Sequence, residues 1–302
     1  MRVTFLGTSA AQPTLSRNLS GISVRREREH LLFDCGEGSQ RQMMRYGTGF
    51  AVDRIFFTHF HGDHFLGLLG FLRTLNMQGR VEPLNLYGPP PAASLLDRAI
   101  RLGFEPESFE ILVHELKAGD EVQMPGGRVT AVPVEHRVPS FGYRLQEAER
   151  PGEFHPEKAT ALGVPEGPLF GELQHGTAVV VGGRRIDPHE VLGPSRPGRS
   201  LVVSGDTRPC ASLEQAARGA DVLIHESTFL DAEQPRALET RHSTAREAGA
   251  VAKRAGVRRL LLTHFSSRYD DEMTTLLAEA RQEFAGAELA YDGLTFDVPL
   301  PS

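Results

Sequence analysis

The chain has only two cysteines, Cys35 and Cys210, in 302 residues, too few for a disulfide scaffold and without the paired spacing of a structural zinc site. Both are expected to be buried thiols. No long uncharged apolar run occurs, and a mean hydropathy of -0.27 argues against a membrane-spanning helix. Met1 leads into the strand-like alternation of Val3 and Phe5, with no basic segment followed by an apolar stretch, so no secretory signal is read and a cytoplasmic protein is expected. Excess positive charge is also missing: 33 Lys and Arg against 39 Asp and Glu leave a net charge of -6. That excludes a protein that coats nucleic acid through bulk charge; any polyanion must meet a local patch. What remains is a chain with 40% hydrophobic and 24% charged residues, long enough for the core of a full-sized enzyme.

Short apolar runs ending in polar clusters recur along it, the rhythm of an α/β protein. Residues 3–6, 30–33, 54–58, 84–87, 128–134, 201–204, 221–224 and 258–263 read as strands. Residues 92–102, 213–219, 244–255 (with Ser243 as N-cap) and 271–284 read as helices. Residues 146–199 differ, being rich in glycine and proline and slightly acidic, with six Lys and Arg against eight Asp and Glu. Such an insertion is either functional or a variable surface excursion.

The sharpest signal is His59-Phe60-His61-Gly62-Asp63-His64, directly after the run 54–58. Two imidazoles alternating across an extended segment can face one metal ion, while the Asp and His that begin the next turn reach a second. Closing two such sites takes further ligands at the ends of other strands. His136, Asp206 and His264 each follow an apolar run. A lone histidine after a strand is usually a surface or capping residue, but the shared placement of these three favours metal binding. A carboxylate such as Asp206 can bridge two cations at the ~3.5–4 Å separation of two-metal hydrolysis.

Together these residues resemble the metallo-β-lactamase superfamily. Within it, Phe5–Ser9, Asp34–Gln40, His225–Thr228, His242–Thr244 and Leu262–Tyr269 resemble the ribonuclease Z family, endonucleases that remove the 3′ trailer from precursor tRNA. Gly163–Pro168, with Leu173 and Gly176, resembles the Gly-Pro motif of that family's flexible tRNA-binding arm, which places the arm at 146–199 within a single catalytic domain, 1–302. The resemblance implies a four-layer αββα sandwich with metals at one edge, two zinc ions per chain, precursor tRNA as partner, and a homodimer. One zinc is expected on His59, His61 and His136, the other on Asp63, His64 and His264, with Asp206 bridging. Asp34 is expected either to orient the His59–His64 loop or to be an ordinary turn residue.

In this reading the ions acidify a water that attacks phosphorus. Asp63 is the candidate general base, or a ligand with no proton role. His242 is the candidate proton donor to the departing ribose oxygen, with Glu226 holding it charged; the plain alternative makes them a helix-start residue and a surface carboxylate. His225 is expected to be structural. Candidate substrate contacts are Ser140, Phe141, Arg17, Gly163, Gly167 and Pro168, although Phe141 and Tyr143 fit strand packing as well. Leu15 stands where the family's loop near the tRNA 3′ end normally carries lysine, which bears on CCA-containing ends. The rivals are another phosphodiesterase of this fold acting on small or cyclic substrates, which needs no arm, and a non-catalytic RNA-binding scaffold, which needs no complete ligand set.

Overall fold

In the computed structural model, which describes residues 1–102 and 108–301, the apolar runs pair into two seven-stranded mixed sheets. The first contains Arg2–Gly7, Gly21–Arg26, Glu29–Phe33, Arg54–Phe56, Leu84–Gly88, Ile111–Glu115 and Thr295–Asp297. The second contains Glu121–Met124, Gly127–Pro133, Phe141–Glu147, Ser200–Val203, Val222–Glu226, Leu260–Thr263 and Ala287–Leu289. Strand side chains point to alternate faces, so a run of apolar residues serves two cores at once. Leu31, Phe33 and Phe56 face the other sheet and meet Tyr143, Leu201, Val203, Ile224 and Leu261 there. Leu32, Ile55 and Phe57 face outward onto the helices Ser39–Tyr46, Gly67–Met77 and Ala92–Ile100. On the far side Val202, Leu223, Leu260 and Leu262 pack against Ala211–Ala217, Ala245–Ala255 and Met273–Glu283. The order is αββα, as expected.

Phe56 stacks between Phe33, at 5.5 Å, and Tyr87, at 4.8 Å; truncating a buried ring of this kind costs ~3–5 kcal/mol. The Tyr143 hydroxyl crosses between the sheets to donate to the Phe57 carbonyl at 2.7 Å. Glu29–Phe33, Arg54–Phe56 and Leu84–Gly88 run parallel, as do Ser200–Val203, Val222–Glu226 and Leu260–Thr263. Their carboxyl ends gather at one edge in each sheet, the place where open α/β sheets bind ligands.

Several element boundaries depart from expectation for local reasons. The strand at Arg54 stops at Phe56 because the Thr58 N–H is taken by the Asp34 carboxylate at 2.7 Å. The helix Ala245–Ala255 is capped by Thr244, whose hydroxyl and Glu247 form a capping box, and not by Ser243. Ser243 instead donates to the Thr207 carbonyl at 2.6 Å. Both cysteines are buried, and burial pushes the Cys35 thiol up to about 12. No helix of the described residues is long and apolar enough to cross a membrane.

The Gly/Pro-rich segment is a folded unit. Helices Pro156–Ala161 and Pro168–Gln174 and a hairpin of Val179–Val181 with Arg184–Ile186 enclose Ala159, Val164, Leu173, Val179, Ile186 and Val191. Its prolines open the two helices and Gly163 turns with φ +82, so the composition that suggests an irregular excursion is capping and turn chemistry. The unit joins the sandwich at a narrow base. There Arg150 and Arg196 exchange backbone hydrogen bonds of 2.8 and 2.9 Å, and Arg199 grips Glu147 with two bonds of 2.7 Å.

Candidate metal centre

Beyond Phe56 the chain leaves the sheet, bends at Thr58, and after His61 makes one helical turn, Gly62–Phe65. His59 Nε2 comes 2.9 Å from His61 Nδ1, and His136 Nε2 lies 3.3 Å from the same atom. Asp206 Oδ2 faces this group, 3.6 Å from His59 Nε2 and 4.0 Å from His136 Nε2. On the other side His64 Nε2 and His264 Nε2 are 3.3 Å apart, with Asp63 Oδ2 at 3.5 Å from each. Asp206 reaches these too, Oδ2 at 3.5 Å from His64 and Oδ1 at 3.4 Å from His264. A single carboxylate thus faces both groups. The turn that delivers it needs glycine: Gly205 has φ +60, and a Cβ there would meet the Phe141 carbonyl and Thr58 at 2.9 Å.

The outward ring nitrogens are held as well, which aims the inward lone pairs. His136 Nδ1 donates to the Arg241 carbonyl at 3.0 Å; His264 Nδ1 pairs with the Thr228 hydroxyl at 3.0 Å and His59 Nδ1 with that of Thr58 at 3.1 Å. His64 Nδ1 meets Asp34 Oδ2 at 2.7 Å, and Asp34 also accepts both the N–H and the hydroxyl of Thr58. Asp34 and His264 both have left-handed backbone, with φ 60 and 59, a conformation that disfavours side-chain-bearing residues. Burial opposes charge on His64, yet Asp206, Asp34 and Asp63 hold its pKa well above the ordinary value. Burial likewise opposes charge on Asp206, but His264, His64 and His59 hold it well below the carboxylate range. Burial, as the largest cause, lowers the pKa of His59, His61 and His136, so neutral imidazoles face the Asp206 carboxylate. These are the donors and the electrostatics that divalent metal ions require, and the residues fit them.

His242 stands beside this centre, Nδ1 at 2.9 Å from Glu226 Oε1 and 3.8 Å from Asp206 Oδ2. Glu226 is buried, not a surface carboxylate. It accepts the Thr207 N–H at 2.8 Å and the Thr228 hydroxyl at 2.6 Å. Burial pushes the His242 pKa down, but the Glu226 charge and hydrogen bond outweigh it and carry it up to about 9. His225 is buried with Nδ1 on the Glu226 carbonyl at 2.7 Å. His242, Asp63, Asp206 and His264 line one open cavity of about 640 Å³.

A model of the beta-lactamase superfamily domain matches residues 29–162 and 170–265. Ribonuclease Z of Myxococcus xanthus is 61% identical over 302 residues, covering 99% of this chain and 98% of that protein. The chain belongs to the ribonuclease Z family. Ribonuclease Z of Methanosarcina acetivorans is 48% identical, covering 99% of this chain and 98% of its own. Among solved structures, human tRNase Z, short form, matches with a TM-score of 0.73 at 30% identity, covering 99% of this chain and 100% of that one.

Not every residue assigned from the ribonuclease Z resemblance lies at the cavity. The Phe141 ring is buried in the core between the sheets, so base stacking there is corrected to packing. Ser140 is buried and donates to the Val138 carbonyl at 2.8 Å, bracing the turn after His136. Arg17 donates to the Thr8 hydroxyl at 2.7 Å and the Ala290 carbonyl at 3.1 Å while lying over the Phe265 ring, so it fastens its loop to the sandwich. Leu15, at that loop's tip, is fully exposed. Gly163, Gly167 and Pro168 belong to the folded arm and do not line the cavity. The sequence reading gave no role to three exposed arginines of the cavity, Arg137, Arg236 and Arg268, which with Glu37 among its other lining residues give an acidic protein a mainly basic rim there. They are scattered along the chain; the local hints are that Arg137 follows His136 and that Arg268 falls within the Leu262–Tyr269 stretch. Also missed was the Ala11 N–H, which donates to Asp63 Oδ2 at 2.8 Å.

Proposed function

We propose that this chain is a two-zinc endoribonuclease that removes the 3′ trailer from precursor tRNA, leaving a 3′-hydroxyl on the tRNA and a 5′-phosphate on the trailer. The observation that carries the reading is the His242–Glu226 pair, 2.9 Å apart, set beside seven converging donors. A ribose oxygen is a poor leaving group and needs a proton donor, the role this reading gives to His242. His59, His61 and His136 on one side and Asp63, His64 and His264 on the other, with Asp206 facing both groups, would hold the zinc ions, which would supply Lewis acidity toward water and the phosphate. Asp63 keeps Oδ2 on His64, His264 and the Ala11 N–H, which leaves Oδ1 to accept a proton from the attacking water. With Nδ1 committed to Glu226, His242 donates from Nε2. Arg137, Arg236 and Arg268 steer backbone phosphates into the cavity, and the arm holds the body of the tRNA.

The test is to map both product ends from a precursor tRNA and to count metals by elemental analysis. About two zinc ions per chain and a single cut at the trailer junction are expected. One firmly held metal, unaffected by Asp206→Ala, contradicts the two-zinc reading. The reading also includes a cytoplasmic homodimer, which cell fractionation and sedimentation equilibrium check.

A further inference from the structure

We propose that Arg208 is the positioning residue that holds the His242 imidazole in line with the leaving group, an inference that rests on the acid role of His242. His242 sits on a short link between the helices Gln234–Thr240 and Ala245–Ala255, directly after Arg241, whose backbone is left-handed at φ 58. A link this short has no core of its own, so hydrogen bonds must set the aim of its side chain. The His242 N–H donates to the Ala237 carbonyl at 2.9 Å, and its own carbonyl accepts from Arg208 Nη1 at 2.6 Å.

The same Nη1 donates to Glu247 Oε2 at 2.6 Å, and Nη2 donates to Glu247 Oε1. Glu247 is the residue that closes the capping box, accepting the Thr244 N–H at 2.9 Å. The guanidinium therefore bolts the carbonyl of His242 to the start of the following helix. At its other end Arg208 follows Asp206 by two residues, and its N–H donates to the carbonyl of Glu135, the neighbour of His136, at 2.9 Å. One residue thus links, through its backbone, the strand ends that carry two metal ligands and, through its guanidinium, the segment that carries the acid. Its side chain is only 13% exposed, and a planar fork is what lets it serve a carboxylate and a carbonyl together; lysine has no such geometry. A misplacement of about 1 Å at a reacting group costs on the order of 100-fold in rate.

The test compares Arg208→Gln, Arg208→Lys, His242→Ala and the double variant R208Q/H242A in the full chain. Two substrates are used, a precursor tRNA and bis(p-nitrophenyl) phosphate, whose leaving group needs no proton. Arg208→Gln is expected to lower kcat on precursor tRNA by about 10- to 100-fold with KM nearly unchanged, to leave the aryl phosphodiester rate and the metal content near wild type, and to add nothing in the His242→Ala background. Arg208→Lys should show the same pattern more weakly, and it serves in place of the glutamine variant if that one does not fold. An Arg208 effect that multiplies with that of His242→Ala, or that slows both substrates alike, overturns the positioning role. If His242→Ala itself slows the aryl substrate as much as the tRNA, the acid role falls first and this inference with it.

Discussion

The metal centre and the arm are built by opposite means. Donors of the centre come from His59 to His264, a span of two-thirds of the chain, and meet because strands of both sheets end at a common edge. Each is buried or half-buried and nearly every outward nitrogen is braced. The arm is local: its small core lies within one stretch of chain and its base is a pair of neighbouring segments. Even its charges close on themselves, with Arg184 on Glu190 at 3.0 Å and Arg185 on Asp187 at 3.0 Å. The centre depends on the whole fold, whereas the core of the arm depends on its own stretch of chain.

The largest expected effect follows from Asp206, the carboxylate shared by both donor groups. Asp206→Ala should release metal and lower cleavage by at least ~1,000-fold, because several kcal/mol of charge stabilisation leave with the ions. Elemental analysis and single-turnover cleavage check this; an arm variant should show no loss of metal. Asp34→Asn should weaken metal affinity by about 10- to 100-fold, the usual worth of a carboxylate that orients a ligating histidine, measured by competition with a chelator. Replacing Arg137, Arg236 and Arg268 by glutamine should leave metal content alone, raise KM for precursor tRNA, and flatten the plot of log kcat/KM against log salt by up to about 3 in slope.

The smallest effect on catalysis, and a purely structural one, concerns His30. Burial, then the nearby Arg25 charge, lowers its pKa to about 4, and its Nε2 pairs with the Ser23 hydroxyl at 2.8 Å inside the sheet. Between pH 6.5 and 4 the unfolded chain binds this proton and the folded chain does not, so stability rises with pH across that window. The contribution is complete above pH 6.5, and on the order of 3 kcal/mol is lost on acidification to pH 4. Thermal unfolding of His30→Gln should be correspondingly less sensitive to acid than wild type, with cleavage at neutral pH unchanged.

The centre was legible in the sequence because its signals are local or repeated. Four ligands crowd into His59–His64, and His136, Asp206 and His264 each follow an apolar run, so their shared placement at strand ends could be read before the pairing of the strands was known. Phe141 was not legible, since an aromatic after a ligand reads the same whether it faces solvent or the opposite sheet. Thr244 displaced Ser243 as cap because the reciprocal bond to Glu247 outbids a lone hydroxyl, and Ser243 found a tertiary partner in Thr207. The internal structure of the arm was not legible: prolines that start short helices and glycines that turn between them have the composition of an irregular loop. The basic rim could not be seen at all before the fold assembled it.

The separation of chemistry from recognition is tested most directly by excising residues 151–195. Arg150 and Arg196 already face each other through backbone hydrogen bonds of 2.8 and 2.9 Å, so a short Gly/Ser turn can join them without disturbing the sandwich. The measurement is kcat and KM of this variant on precursor tRNA and on bis(p-nitrophenyl) phosphate, with metals counted in the same preparation. The account predicts full metal content, near wild-type hydrolysis of the aryl phosphodiester, and a fall of about 100-fold or more in kcat/KM on precursor tRNA, carried mainly by KM. Unchanged cleavage of precursor tRNA, or loss of both activities with metal content intact, would contradict it.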